Sequence, residues 1–322
     1  MGRGENNPPP SASMEQRNTK GSGSIFPGPN GKLVEIRDVW RSNLDSEMAL
    51  VRKCVEDYPY IAMDTEFPGV VARPITDQYA NDYQYQTLRC NVDLLKIIQL
   101  GIALVNEKGD HPDDCVAWQF NFKFNLQEDM YAQDSIDLLK EAGIDFKRHE
   151  TEGIDVNYFG ELMTTSGLVL VENVRWISFH SGYDFGYLLK LLTCVALPSN
   201  ESEFFELLKF YFPYLYDIKF MINGMNDLHG GLQKIADDLH AQRIGPMHQA
   251  GSDALLTADT YFKLCARLES DSAQDYDQKY ENELFGLGGN CTVYRPPPRD
   301  ESSTEVPDDD NRPDVSTAYS QN

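Results

Sequence analysis

Residues 61–69 read IAMDTEFPG: an apolar run that ends in two carboxylates one residue apart, Asp64 and Glu66. If Tyr60 to Phe67 is extended, side chains alternate between faces, so both acids point the same way about 7 Å apart. They then repel each other. Such a pair is tolerated at a solvated strand end, or it shares a hard divalent cation, for which oxygen ligands are the natural set. A surface strand end and a metal-holding strand inside a sheet are different folds, so the reading turns on what surrounds the pair.

The surroundings favour a sheet. Leu94 to Val105, LLKIIQLGIALV, is apolar throughout, as a strand covered on both faces must be. Cys115 to Phe122 reads as its antiparallel neighbour through the turn Asn106 to Asp110. Helical spacing appears over Asn43 to Tyr58, Asp134 to Ala142, Asn157 to Gly167, Phe185 to Cys194, Glu201 to Phe212, Leu232 to His240 and Ala254 to Leu268. Arg175 to His180 and Tyr214 to Ile222 are strand-like. Hairpin strands followed by alternating strands and helices predict an α/β fold, a mixed β-sheet flanked by α-helices.

The ends of the 322-residue chain have a different composition. Residues 1–32 are rich in Gly, Pro, Ser and Asn without apolar periodicity and predict a disordered arm. Residues 296–322 combine a proline run with acids and predict a disordered acidic tail. Residues 33–295 are left as a single domain. No apolar run approaches the ~20 residues that span a bilayer, and no leader is apparent, so the protein is expected to be soluble, intracellular and free of membrane. Asn6 stands where the myristoylation pattern needs Ser or Thr. The six cysteines are scattered without CxxC pairs, which predicts reduced thiols and no zinc knot.

The formal charge of −23 works against a protein that grips nucleic acid through phosphates alone. Either the partner is no polyanion, or bound cations supply locally what the composition lacks. Acids recur where such a sheet exposes its strand ends. Asp184 lies in HSGYDFG, residues 180–186, and Asp253 in MHQAGSDALLT, residues 247–257, each ahead of an apolar helix. Each reads alone as a helix cap. His248, five residues before Asp253 on a Gly/Pro loop, reads alone as a solvated side chain. Together, four acids and a histidine are what two-metal phosphodiester hydrolysis needs: ligands for the ions, and a base for the water's proton.

The order DTE, then SGYDFGYL, then HQAGSD resembles the DEDD superfamily of 3′-to-5′ exonucleases, in the subgroup with a histidine before the final aspartate. The longer stretches at residues 62–74, 82–101, 118–126, 179–188 and 243–253 resemble the Pop/Caf-type deadenylases, nuclease subunits of the CCR–NOT complex. The likeness runs from about Ile36 to Gly289. It implies a ribonuclease-H-like fold of the proofreading-exonuclease type and removal of mRNA poly(A) tails with release of 5′-AMP. It further implies Asp64, Glu66, Asp184 and Asp253 as ligands of two divalent cations, Mg²⁺ or Mn²⁺, with His248 as general base. The implied partners are single-stranded poly(A) RNA, the CCR–NOT scaffold subunit, a second deadenylase subunit and BTG/Tob-type antiproliferative adaptors. The implied locations are the cytoplasm, including mRNA-decay granules, and the nucleus.

Two other readings belong beside this one: a catalytically weak scaffold subunit of the same complex, and a DNA exonuclease of the same superfamily. All five chemical residues are present, against the first; only the longer stretches favour RNA, against the second. Phe67 and Leu188 flank ligands and read either as base contacts or as core. Asp77 to Gln86 is expected to be a loop near the pocket mouth. His180 is expected to be structural, and Trp40, Trp118 and Trp176 core. Met247 departs from the glutamine common in relatives without altering a ligand.

Overall fold

The computed structural model describes residues 23–28, 33–75, 82–112, 117–271 and 279–289. Seven strands form one sheet: β1 (Gly23–Pro27), β2 (Leu33–Val39), β3 (Tyr60–Glu66), β4 (Gln99–Val105), β5 (Ala117–Asn121), β6 (Arg175–Ser178) and β7 (Tyr214–Asp217). Their spatial order is β1-β2-β5-β4-β3-β6-β7. The strand that carries the opening acids, β3, pairs antiparallel with β4 and parallel with β6, so it is interior. The predicted β4–β5 hairpin is present and antiparallel.

Among the described residues the helices are α1 (Leu44–Cys54), α2 (Tyr83–Leu94), α3 (Gln133–Glu141), α4 (Phe146–Glu152), α5 (Val156–Thr164), α6 (Gly182–Thr193), α7 (Glu201–Tyr211), α8 (Ile218–Met221), α9 (Leu232–Asp238) and α10 (Ala250–Asp271). Ile61 and Met63 of β3 join a core beneath α1, α2, α5, α6 and α7, whereas Ala62 joins one beneath α8, α9 and α10. Helices on both faces of a mixed sheet are the α/β architecture that the sequence pattern predicts, and they agree with the ribonuclease-H-like fold that the family resemblance implies. Continued alternation places Asp64 and Glu66 on the α10 face and Thr65 on the α6 face.

Several boundaries differ from the sequence reading. Gly23–Pro27, assigned to the arm, is the edge strand β1, paired antiparallel with β2; the backbone bonds of the ladder hold a segment whose composition predicts none. Asp77 to Gln86 was expected as loop, but α2 begins at Tyr83. The helix carries an apolar face of Tyr85, Leu88 and Val92 that a window centred on its polar start conceals. The expected strand from Leu94 therefore starts at Gln99. The strand from Tyr214 stops at Asp217, whose side chain accepts from Lys219 N and caps α8. The remainder of the arm, the acidic tail and residues 77–81 of the expected loop lie outside the described residues.

Trp118 and Trp176 are fully buried and Trp40 nearly so, as expected of core. Among the described residues no helix is long and apolar enough to cross a membrane.

Candidate active site

The site forms where β3 meets the N-terminus of α10, and a glycine makes the approach possible. Gly101 lies opposite Asp64 in the β3–β4 register. A Cβ there would stand 1.8 Å from Ala250 O, so only a residue without one lets α10 lie this close to the sheet. Two buried glutamines then satisfy the first N–H groups of the helix, which have no partner within it. Gln99 Oε1 accepts from Ala250 N at 3.3 Å, and Gln119 Oε1 accepts from Gly251 N at 3.0 Å. Each amide is itself anchored, Gln99 to Asn121 Oδ1 and Gln119 to Asp38 Oδ1.

This geometry brings Asp253, in the first turn of α10, to the acids of β3. Asp64, Glu66 and Asp253 are buried, and each offers an oxygen within 4.8 Å of the others. Asp184 arrives from the opposite face, on the first turn of α6. Its Oδ1 accepts from Thr65 N at 2.9 Å and from Thr65 Oγ1 at 2.6 Å. It is therefore not the cap of α6, where Ser181 stands. The sequence reading grouped four acids; the structure clusters three tightly and holds the fourth beside them on Thr65.

The electrostatics follow from burial. Desolvation, then repulsion from Asp253 and Asp184, raises the Asp64 and Glu66 carboxyls well above their ordinary range, with Arg243 opposing. Burial lifts Asp184 to about 6 against its bonds from Thr65. Asp253 is raised by burial although Arg243 pulls it down. Four desolvated acids that disfavour their own charge, with only oxygen donors, fit a hard divalent cation, and exposed acids on a surface would show none of this strain. Mg²⁺ and Mn²⁺ both suit this donor set.

His248 sits on the loop before α10, half-buried, with φ of +59°, a left-handed conformation uncommon outside glycine. Its backbone N–H bonds the Asp253 carboxylate, so the turn ties the histidine to the cluster. Burial lowers its pKa, Asp253 opposes, and Arg243 lowers it further, so the ring is neutral near pH 7 and able to accept a proton.

Beside the acids, Phe67 stacks on Tyr183 at 5.1 Å and leans on Tyr187 at 5.2 Å. Leu188 is fully buried, which makes it core and not a base contact. Buried Asn91 fixes the loop after β3: its Oδ1 accepts from Val71 N and Ala72 N, and its Nδ2 donates to Ala72 O. His180 is structural as expected; its N–H donates to Asp217 Oδ1, and its ring meets Phe285 edge-on. Met247 is exposed. Sequence reasoning missed Gly101, Gln99, Gln119, Thr65 and Arg243. The first three stand in apolar strands, where a lone Gly or Gln is the available signal of close approach.

Comparison with known proteins adds to this geometry. The model of the CAF1 family ribonucleases matches residues 39–161 and 164–261. The poly(A) ribonuclease pop2 of Schizosaccharomyces pombe is 53% identical over 267 residues, 83% of this chain and 79% of that protein. An Arabidopsis thaliana protein, described as a probable CCR4-associated factor 1 homolog 7, is 51% identical over 79% of this chain and 94% of its own. Among solved structures, S. pombe Pop2p in its Mg²⁺- and Mn²⁺-bound form is 54% identical with a TM-score of 0.75, over 78% of this chain and 99% of that one. The CAF1 chain co-crystallized with the yeast NOT1 MIF4G domain is 34% identical with a TM-score of 0.67, over 78% and 96%.

Proposed function

The chain belongs to the CAF1 family of ribonucleases, and from that premise we propose that it is a metal-dependent 3′-to-5′ exoribonuclease that shortens mRNA poly(A) tails, releasing 5′-AMP. The observation that carries this reading is the buried convergence of Asp64, Glu66 and Asp253 within 4.8 Å, with Asp184 alongside. Fission-yeast Pop2, named a poly(A) ribonuclease and solved with Mg²⁺ and Mn²⁺, supports the substrate and the metals.

In this mechanism Asp64, Glu66, Asp184 and Asp253 would hold two divalent cations. When bound, these supply activation of the attacking water and charge stabilisation at the leaving oxygen. Asp64, fixed inside the strand, would be one of these ligands. His248, neutral and tied to Asp253 through its backbone, takes the proton of the attacking water at a ring nitrogen. The helix α10 aims the positive end of its dipole at the cluster and favours the phosphate there. The rigid turn of α6, bonded through Asp184 to Thr65, keeps the α6 acid at a fixed distance from β3.

The chain acts as a catalytic subunit of the CCR–NOT complex, in cytoplasm and nucleus. The NOT1–CAF1 co-crystal supports a scaffold partner; a second deadenylase subunit and BTG/Tob-type adaptors complete the proposed partners. All five chemical residues are present in the chain, which weighs against a scaffold-only subunit.

The test is hydrolysis of a 5′-labelled RNA ending in a run of A, with Mg²⁺ or EDTA, for the wild type and Asp64→Ala. The expected result is a metal-dependent ladder shortening from the 3′ end and absent in the folded variant. Retained activity in Asp64→Ala would overturn the ligand assignment. Equal cleavage of an oligodeoxyadenylate would point to the DNA exonuclease.

A further inference from the structure

Arg243, on the loop between α9 and α10, has no part in the chemistry above, yet it touches the cluster. Its Nη1 lies 2.7 Å from Asp253 Oδ1 and 3.3 Å from Ser252 Oγ, and its Nε donates to Gln233 Oε1 on α9. Both anchors are themselves held. Gln233 Nε2 donates to Asp237 Oδ1 at 2.8 Å, and Ser252 Oγ donates to Ile244 O at 2.8 Å. A line of contacts therefore runs from the exposed Asp237 through Gln233 and the guanidinium to an acid of the metal cluster.

The guanidinium is mostly buried, and its Nη2 has no hydrogen-bond partner. Burying an N–H unmet is unfavourable, so packing and the Asp253 ion pair hold the group where it is. The fork matters as well as the charge. Nε and Nη1 engage α9 and Asp253 at once, which an ammonium on a flexible stem does not reproduce. Groups that hold a ligand from behind typically change metal affinity by 10–100-fold when removed.

We propose that Arg243 is a positioning residue for the metal centre, holding the Asp253 carboxylate against Asp64 and Glu66 from a base on α9. The inference rests on the reading of Asp64, Glu66 and Asp253 as metal ligands, and its test separates the two. Mn²⁺ binding to the full chain is titrated by the electron paramagnetic resonance signal of free Mn²⁺, for wild type, Asp64→Asn, Arg243→Gln and Arg243→Lys. Folding is checked by circular dichroism in EDTA. Arg243→Gln is expected to weaken Mn²⁺ binding about 10-fold or more, with kcat on poly(A) recovering at saturating Mn²⁺ and KM for RNA unchanged. Arg243→Lys, which keeps the charge without the fork, is expected to stay within about threefold of Arg243→Gln, and it carries the test if the glutamine variant does not fold. Wild-type or tighter binding by Arg243→Gln would make the guanidinium a bystander or a mere competing cation and overturn the proposal, as would full rescue by lysine. Wild-type binding by Asp64→Asn would instead remove the ligand reading.

Discussion

Asp184→Asn should make the metal-free protein more stable while abolishing its activity. The carboxyl is buried, and its pKa is raised from 3.8 to about 6, chiefly by desolvation. The folded state therefore holds the proton more tightly than the unfolded one. At pH 7.5 both states are ionised, and the charge costs the fold 1.36 kcal/mol for each of the 2.2 pKa steps, about 3 kcal/mol. This cost is largely present above pH 6, shrinks to roughly half at pH 5, and fades below pH 3.8. Asparagine keeps an Oδ1 that can accept from Thr65 N and Oγ1 but adds an N–H₂ to be satisfied, so a net gain of about 1–3 kcal/mol is expected. In a domain of this size that is a rise of roughly 2–12 °C in melting temperature in EDTA. The gap between variant and wild type should narrow as pH is lowered from 7.5 to 5. Saturating Mn²⁺ should shrink or reverse the gap, because ligand binding adds about 2.7 kcal/mol to the wild type at 100 times Kd. A variant less stable than wild type in EDTA at pH 7.5, or a gap indifferent to pH, would refute the burial argument.

His149 is buried with Nδ1 against Phe122 O, and burial pushes its pKa down to about 4. The unfolded state thus binds the proton first, so up to about 3 kcal/mol of stability should be lost as pH falls from 6.5 towards 4. Urea melts of the wild type and His149→Gln should show a shallower acid loss in the variant; parallel profiles would exclude His149 as the cause. Gly101→Ala should cost at least about 3 kcal/mol or prevent folding, since the new methyl meets the Ala250 carbonyl at 1.8 Å and α10 must move off the sheet. A soluble Gly101→Ala with wild-type urea midpoint and activity would mean that the approach of α10 is looser than the structure has it.

Much of the fold was readable because its signals are local. Alternation and apolar runs placed β3, β4 and β5, helical spacing placed α6, α7 and α10, and turn chemistry set the β4–β5 hairpin. The edge strand β1 was not readable, since Gly23–Pro27 has the composition of a loop and owes its extended form to bonds from β2. α2 was hidden for a related reason: its polar start, DYQYQ, outweighs the apolar face that packs on α6.

The sequence by itself determined which residues are the candidates for the chemistry. Asp64, Glu66, Asp184, His248 and Asp253 stand in stretches whose order and length identify the family, and residue type and order are properties of the chain alone. Their division was decided only in three dimensions. Alternation sends Asp64 and Glu66 to one face of β3 and Thr65 to the other, so Asp253 joins the first two while Asp184 is held through the third. The same holds for Arg243, Gln99, Gln119 and Gly101. Their roles depend on distances between segments up to 151 residues apart, and no local pattern encodes a distance that packing sets.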